Sequence, residues 1–85
     1  MNEYTPNPLQ IIRINEASKL FGMAKSSYYD RLKNGLLPSS ISLGGRNVGY
    51  VLSELHTVLK AMIRGDSEEE IKALVKDLVK QRSII

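Results

Sequence analysis

Apolar positions change their spacing along this chain, and the changes divide it into short elements. Ile11-Ile12-Arg13-Ile14 is rich in β-branched residues and too short for a helix, which predicts a brief strand. From Asn15 to Phe21, the residues Ala17, Leu20 and Phe21 share one helical face. From Lys25 to Asn34, Tyr28 and Leu32 do the same. Gly22, Met23 and Ala24 lie between and predict a tight turn, because glycine tolerates the backbone angles that redirect a chain. Asn15 is the expected cap of the first helix. Ala24 stands where the second helix needs a cap and has no side-chain acceptor, which leaves Ser26 or Ser27 for that role. Gly35 stops the second helix, and Leu36, Leu37 and Pro38 turn the chain away with both leucines available to a core.

Over residues 41–51 the spacing shortens to two. Ile41 and Leu43 alternate with Ser42, and Val48 and Tyr50 alternate with Gly49. Gly44-Gly45-Arg46-Asn47 lies between, and glycine and asparagine suit the left-handed backbone of a tight turn, so the segment predicts a β-hairpin. A hairpin this small is not stable alone and needs the helix pair to cover its apolar face. It reads as a wing with Arg46 at its tip.

Helical spacing then returns. Leu55, Val58, Leu59, Met62 and Ile63 form a stripe, with Ser53 as the expected cap and Gly65 as the stop. Ser67 with Glu70 three residues on is a capping-box opening, and Glu68 and Glu69 sit where the helix dipole favours negative charge. Lys80 and Arg82 lie near the other end of that fourth helix. Its stripe, Ile71, Leu74, Val75, Leu78 and Val79, either covers the core or pairs with another copy. The winged part is complete without it, so Ile71, Leu74, Val75 and Leu78 are the expected oligomerisation residues. Residues 1–10 read as a flexible arm, since Pro6 and Pro8 forbid regular helix and Asn2, Asn7 and Gln10 are polar.

The predicted fold is mostly α with a small β-hairpin: a winged helix-turn-helix over residues 11–65, plus an extra C-terminal amphipathic helix over residues 66–85. In a helix-turn-helix the second helix enters the DNA major groove.

Composition narrows the chemistry. Eighty-five residues make one domain with a modest core. With no cysteine and one histidine, His56, neither a disulfide framework nor a cysteine-based metal site is possible, and no metal or cofactor is expected. No apolar run approaches the roughly 18 residues of a membrane span, and the N-terminus lacks the order of a signal peptide, so the expected compartment is the cytoplasm. No nucleophile–base pattern or phosphate-cradling motif is visible, which argues against an enzyme. The net charge is +3. Residues 1–52 carry six basic and three acidic groups, whereas residues 53–85 carry six of each. The whole excess therefore sits with the helix-turn-helix, as expected of a polyanion binder.

Lys25, Ser26 and Ser27, at the start of the second helix, can reach phosphate or base edges, and the free N–H groups there attract phosphate. Tyr29 and Lys33 lie one and two turns further along, while Tyr28 belongs to the core. Arg46, with Asn47 beside it, stands on a glycine-rich loop that can approach a phosphate or enter a minor groove.

The run from Ile12-Arg13 through Glu16-Ala17, then Phe21-Gly22-Met23, Ser26-Ser27, Tyr28-Tyr29, Gly35 and Pro38, and above all Leu43-Gly44-Gly45-Arg46-Asn47-Val48-Gly49-Tyr50 followed by Ser53-Glu54-Leu55, resembles the AlpA-like prophage regulators. These sit within the wider group of excisionase and MerR-like winged-helix domains. The resemblance covers about residues 11–64. It departs at Ala24, where the family usually has a polar residue, and at Asp30, where it often has a basic one. Asp30 repels phosphate, although a carboxylate can accept from the cytosine amino group. The neighbouring Arg31 can partly replace the charge but projects elsewhere. The resemblance implies a sequence-specific DNA-binding regulator of a phage, prophage or genomic island. Such a protein acts on transcription or, as an excisionase, sets the direction of recombination with an integrase as partner. The competing expectation is a small helical adaptor that binds an integrase or another regulator through its fourth helix.

Overall fold

A computed structural model describes residues 9–84 of the chain. The arm read for residues 1–10 falls mostly on residues 1–8, outside the described residues. The elements are strand β1 (Ile11–Ile12), helices α1 (Ile14–Leu20) and α2 (Lys25–Lys33), strands β2 (Ile41–Gly44) and β3 (Asn47–Val51), and helices α3 (Leu52–Arg64) and α4 (Glu68–Gln81), with a single 3₁₀ turn over Arg82–Ile84. This is the predicted winged helix-turn-helix with a fourth helix added.

The strands form one antiparallel sheet in the order β1-β3-β2. Ile11 pairs with Val51 and Ile12 with Tyr50. Ile41 pairs with Gly49, Ser42 with Val48 and Gly44 with Asn47, with an irregularity between Ser42 and Gly44. Gly49 allows this packing: a β-carbon there would collide with the Ile11 side chain and press on Leu43. The first strand is shorter than predicted, because Ile14 already begins α1.

Two helix starts differ from the sequence reading. Asn15 lies inside α1, whose cap position is Arg13; the Arg13 N–H donates to Glu16 Oε1 at 3.2 Å. Ser53 lies inside α3, whose cap position is Val51; the Leu52 N–H donates to the Gln10 carbonyl at 2.9 Å. Glu16 thus reaches back to the cap residue's own amide in α1, and the Gln10 carbonyl satisfies the first amide of α3. At α2 no side chain caps the first turn, so neither Ser26 nor Ser27 plays that part. The predicted box at α4 is present: the Ser67 N–H donates to Glu70 Oε1 at 2.7 Å, and the Glu70 N–H to Ser67 Oγ at 3.2 Å. Helix α2 ends at Gly35, where the Leu36 N–H returns to the Arg31 carbonyl at 2.9 Å.

The core gathers Ile12, Ala17, Tyr28, Leu36, Leu37, Tyr50, Leu55, Val58, Ala61, Ile71 and Val75. Leu20, Phe21, Leu32, Met62, Leu74 and Leu78 pack against it, partly buried. Helix α4 therefore folds back on this chain: two of the four residues read as an oligomerisation seam, Ile71 and Val75, are buried here, and Leu74 and Leu78 are half-covered. Two apolar expectations fail. Ile63, placed in the α3 stripe, is 78% exposed, and Leu43 and Val48 extend past the cover of the helix pair.

Candidate nucleic-acid interface

Helix α2 sorts its residues by face. Tyr28 is fully buried and Leu32 partly so. The Tyr28 ring packs edge-on against Phe21 of the first turn (centroids 6.1 Å apart) and against Tyr50 of β3 (5.2 Å). This cluster ties α2 to the root of the hairpin. Burial, and then proximity to Tyr50, holds the Tyr28 phenol protonated well above the ordinary tyrosine range. Burial also raises Tyr50, with a smaller contribution from Tyr29.

The opposite face is open. Ser26, Tyr29, Asp30 and Lys33 stand at i, i+3, i+4 and i+7, one side of the helix, and all are exposed. Tyr29 is 51% exposed. Lys25 and Ser27 flank them at the uncapped first turn, also exposed. Asp30 shares this face, so any partner meets one carboxylate among the hydroxyls and lysines. Arg31 turns elsewhere: it is half-buried, with its guanidinium Nη2 4.0 Å from the Met62 sulfur and its Nε buried without a hydrogen-bond partner.

At the hairpin tip, Gly45 and Arg46 form the turn. The positive backbone angles belong to Gly44 (φ 105°) and Gly45 (φ 58°). Asn47 has no positive φ and pairs with Gly44 as the first residue of β3, so its left-handed reading is corrected. Arg46 and Asn47 are both exposed.

Electrostatics separates these cations from others. Arg64 is tied to Asp66 by bonds of 3.1 and 2.6 Å, and that hydrogen bonding holds the Asp66 carboxyl below the usual carboxylate range. Arg82 chelates Glu54 with Nε–Oε2 2.8 Å and Nη2–Oε1 2.6 Å and also donates to the Ser39 carbonyl at 2.8 Å. The Glu54 hydrogen bond raises the Arg82 guanidinium further above its ordinary value. This clasp joins the 3₁₀ turn after α4 to α3 and to the segment after α2. Sequence reading missed it, because Glu54 and Arg82 are 28 positions apart and only a tertiary fold brings them together. Lys25, Lys33 and Arg46 enter no ion pair among the described residues. Among the described residues no group of three or more His, Cys, Asp or Glu is placed to hold a metal, and no helix is long and apolar enough to cross a membrane.

The family described as "Prophage CP4-57 regulatory protein (AlpA)" matches residues 10–60, which is the whole unit from β1 through the hairpin and most of α3. The chain belongs to the AlpA family of prophage regulatory proteins. It is also similar to ORF88 of Enterobacteria phage P4, named as an uncharacterized protein, with 32% identity over 56 residues, 66% of this chain. The matched part spans 64% of that relative's length. No solved structure matches. The AlpA match takes in both α2 and the Arg46 tip and stops before α4.

Proposed function

We propose that this AlpA-family protein is a sequence-specific DNA-binding regulator of a phage, prophage or genomic island. The observation that carries the reading is the two-faced helix α2. Its Tyr28 is sealed against Tyr50, while Ser26, Tyr29, Asp30 and Lys33 lie together in solvent beside a hairpin tipped by Arg46. A helix held this way can enter a major groove, and the hairpin can meet the flanking backbone. Lys25, Lys33 and Arg46 contact phosphates and supply position and most of the affinity. Ser26 and Tyr29 touch base edges, with Ser27 and Asn47 as further polar contacts, and Asp30 favours a cytosine amino group. The output is transcriptional control or, with an integrase as protein partner, a recombination decision in the cytoplasm. Copies on neighbouring half-sites would meet through Leu74 and Leu78, which retain exposed area.

Footprinting on DNA around the protein's own gene and any adjacent attachment site tests the reading. A protected site is expected. The double variant Ser26→Ala/Tyr29→Ala should narrow the affinity gap between that site and random DNA by about tenfold, with similar binding to random DNA. Equal losses on both DNAs would remove the readout roles, and no protected site with no shift of any duplex would remove the function.

A further inference from the structure

Helix α4 lies outside the family match, yet it borders the end of α2. Asn34 and Gly35, at the end of α2, face Glu69, Lys72, Ala73, Val75 and Lys76 across an open groove of about 410 Å³. Val75 forms its buried floor, and Lys72 and Lys76, one turn apart, line one wall. Lys33 precedes Asn34 directly and is exposed. None of these three lysines enters an ion pair among the described residues. Glu69 is the single carboxylate lining the groove, against the two lysines Lys72 and Lys76.

The sequence of α4 places its acidic residues mostly in the first turn and its lysines beyond it. Lys72, Lys76 and Lys80 repeat at four-residue spacing in the row that Glu68 opens, with Glu69 beside it, while Glu70 and Asp77 fall on the other side of the buried stripe. The groove thus joins the end of α2, next to Lys33, to lysines of a helix whose other duty is to cover the core.

We propose that Lys72 and Lys76 continue the track begun by Lys33, forming a second phosphate-binding wall that holds the DNA backbone beyond the segment read by α2. The inference rests on the DNA-binding reading above. It assigns to α4 a direct contact with the duplex. Because the wall is built of lysines and carries no base-reading geometry, it adds affinity and salt dependence without adding sequence preference.

The test uses the full chain and a labelled random-sequence duplex of about 30 base pairs, titrated over a salt series. Lys72→Gln/Lys76→Gln should bind about tenfold more weakly at low salt and lower the salt slope by about two units. Lys60→Gln removes one exposed charge from α3 and should leave the slope unchanged, which separates a local contact from loss of net charge. Lys72→Arg/Lys76→Arg should retain the slope, and thermal melts should show both double variants folded. An unchanged slope in Lys72→Gln/Lys76→Gln, or an equal decrease per charge for Lys60→Gln, would overturn the inference while leaving the parent reading intact. If the unaltered protein shifts no DNA, the parent reading fails first, and this one with it.

Discussion

Arg46 stands at the hairpin tip with no ion-pair partner among the described residues, whereas Arg82, just past α4, is held by Glu54 and Ser39. The two side chains are chemically identical. The difference lies in what the fold places near them. Arg46 is surrounded by glycine turn and water, so its charge is available to any polyanion that approaches. Arg82 meets a carboxylate whose side chain is only 8% exposed, and its own is 21% exposed, so its charge is consumed internally. A count of basic residues treats the two alike. Only their neighbours tell a binding cation from a structural one.

The largest break in that comparison is at the clasp. Glu54→Ala leaves Arg82 half-buried without its carboxylate and should destabilise the protein by about 2–4 kcal/mol, less than a fully buried pair because Arg82 keeps some water. For a domain of this size that lowers the melting temperature by roughly 10 °C or more, read by circular dichroism. Replacing both partners, Glu54→Leu/Arg82→Leu, should cost less than the single change, since no orphaned charge remains. A single variant as stable as the parent would mean that the clasp is ornamental.

The hairpin arginine should behave in the opposite way. Arg46→Ala should leave stability within about 0.5 kcal/mol, because the side chain is exposed and enters no ion pair among the described residues. It should weaken DNA binding about tenfold on every sequence and lower the salt slope by about one. Undiminished binding in gel shifts across a salt series would refute the wing assignment.

Tyr28 is a third case, a polar group that is neither partnered nor exposed. Its hydroxyl is buried and makes no hydrogen bond. Tyr28→Phe should therefore be neutral or stabilise by up to about 1 kcal/mol. Its phenol is raised above the ordinary value of 10.0 by burial, so the unfolded chain loses that proton first as the solution becomes alkaline. The associated stability is complete below pH 10.0 and declines as pH climbs through the higher folded value. Denaturant midpoints between neutral and strongly alkaline pH should fall less steeply in Tyr28→Phe, with Tyr50, raised in the same direction, accounting for part of what remains.

Much of the fold was legible where the signal is local. Gly35 and the Ser67–Glu70 box mark helix ends because each acts within one turn of itself. The starts of α1 and α3 were displaced by two residues, since Glu16 serves the Arg13 amide and the Gln10 carbonyl serves Leu52. The second of those donors is satisfied across the sheet, where no local rule can see it. Ile63 shows the limit of periodicity: it keeps helical spacing with the buried stripe, yet nothing packs over it.

The candidate site divides in the same way. Spacing alone put Tyr28 and Leu32 inward and Lys25, Ser26, Tyr29 and Lys33 outward, because a helix imposes its 3.6-residue period on any sequence it accepts. Tertiary structure decided which charges are free. It paired Glu54 with Arg82 across 28 positions, turned Arg31 onto Met62, and laid α4 over the core so that its lysines border the end of α2. Periodicity is a property of one segment, whereas pairing and packing depend on distances between segments, and those exist only once the chain has folded.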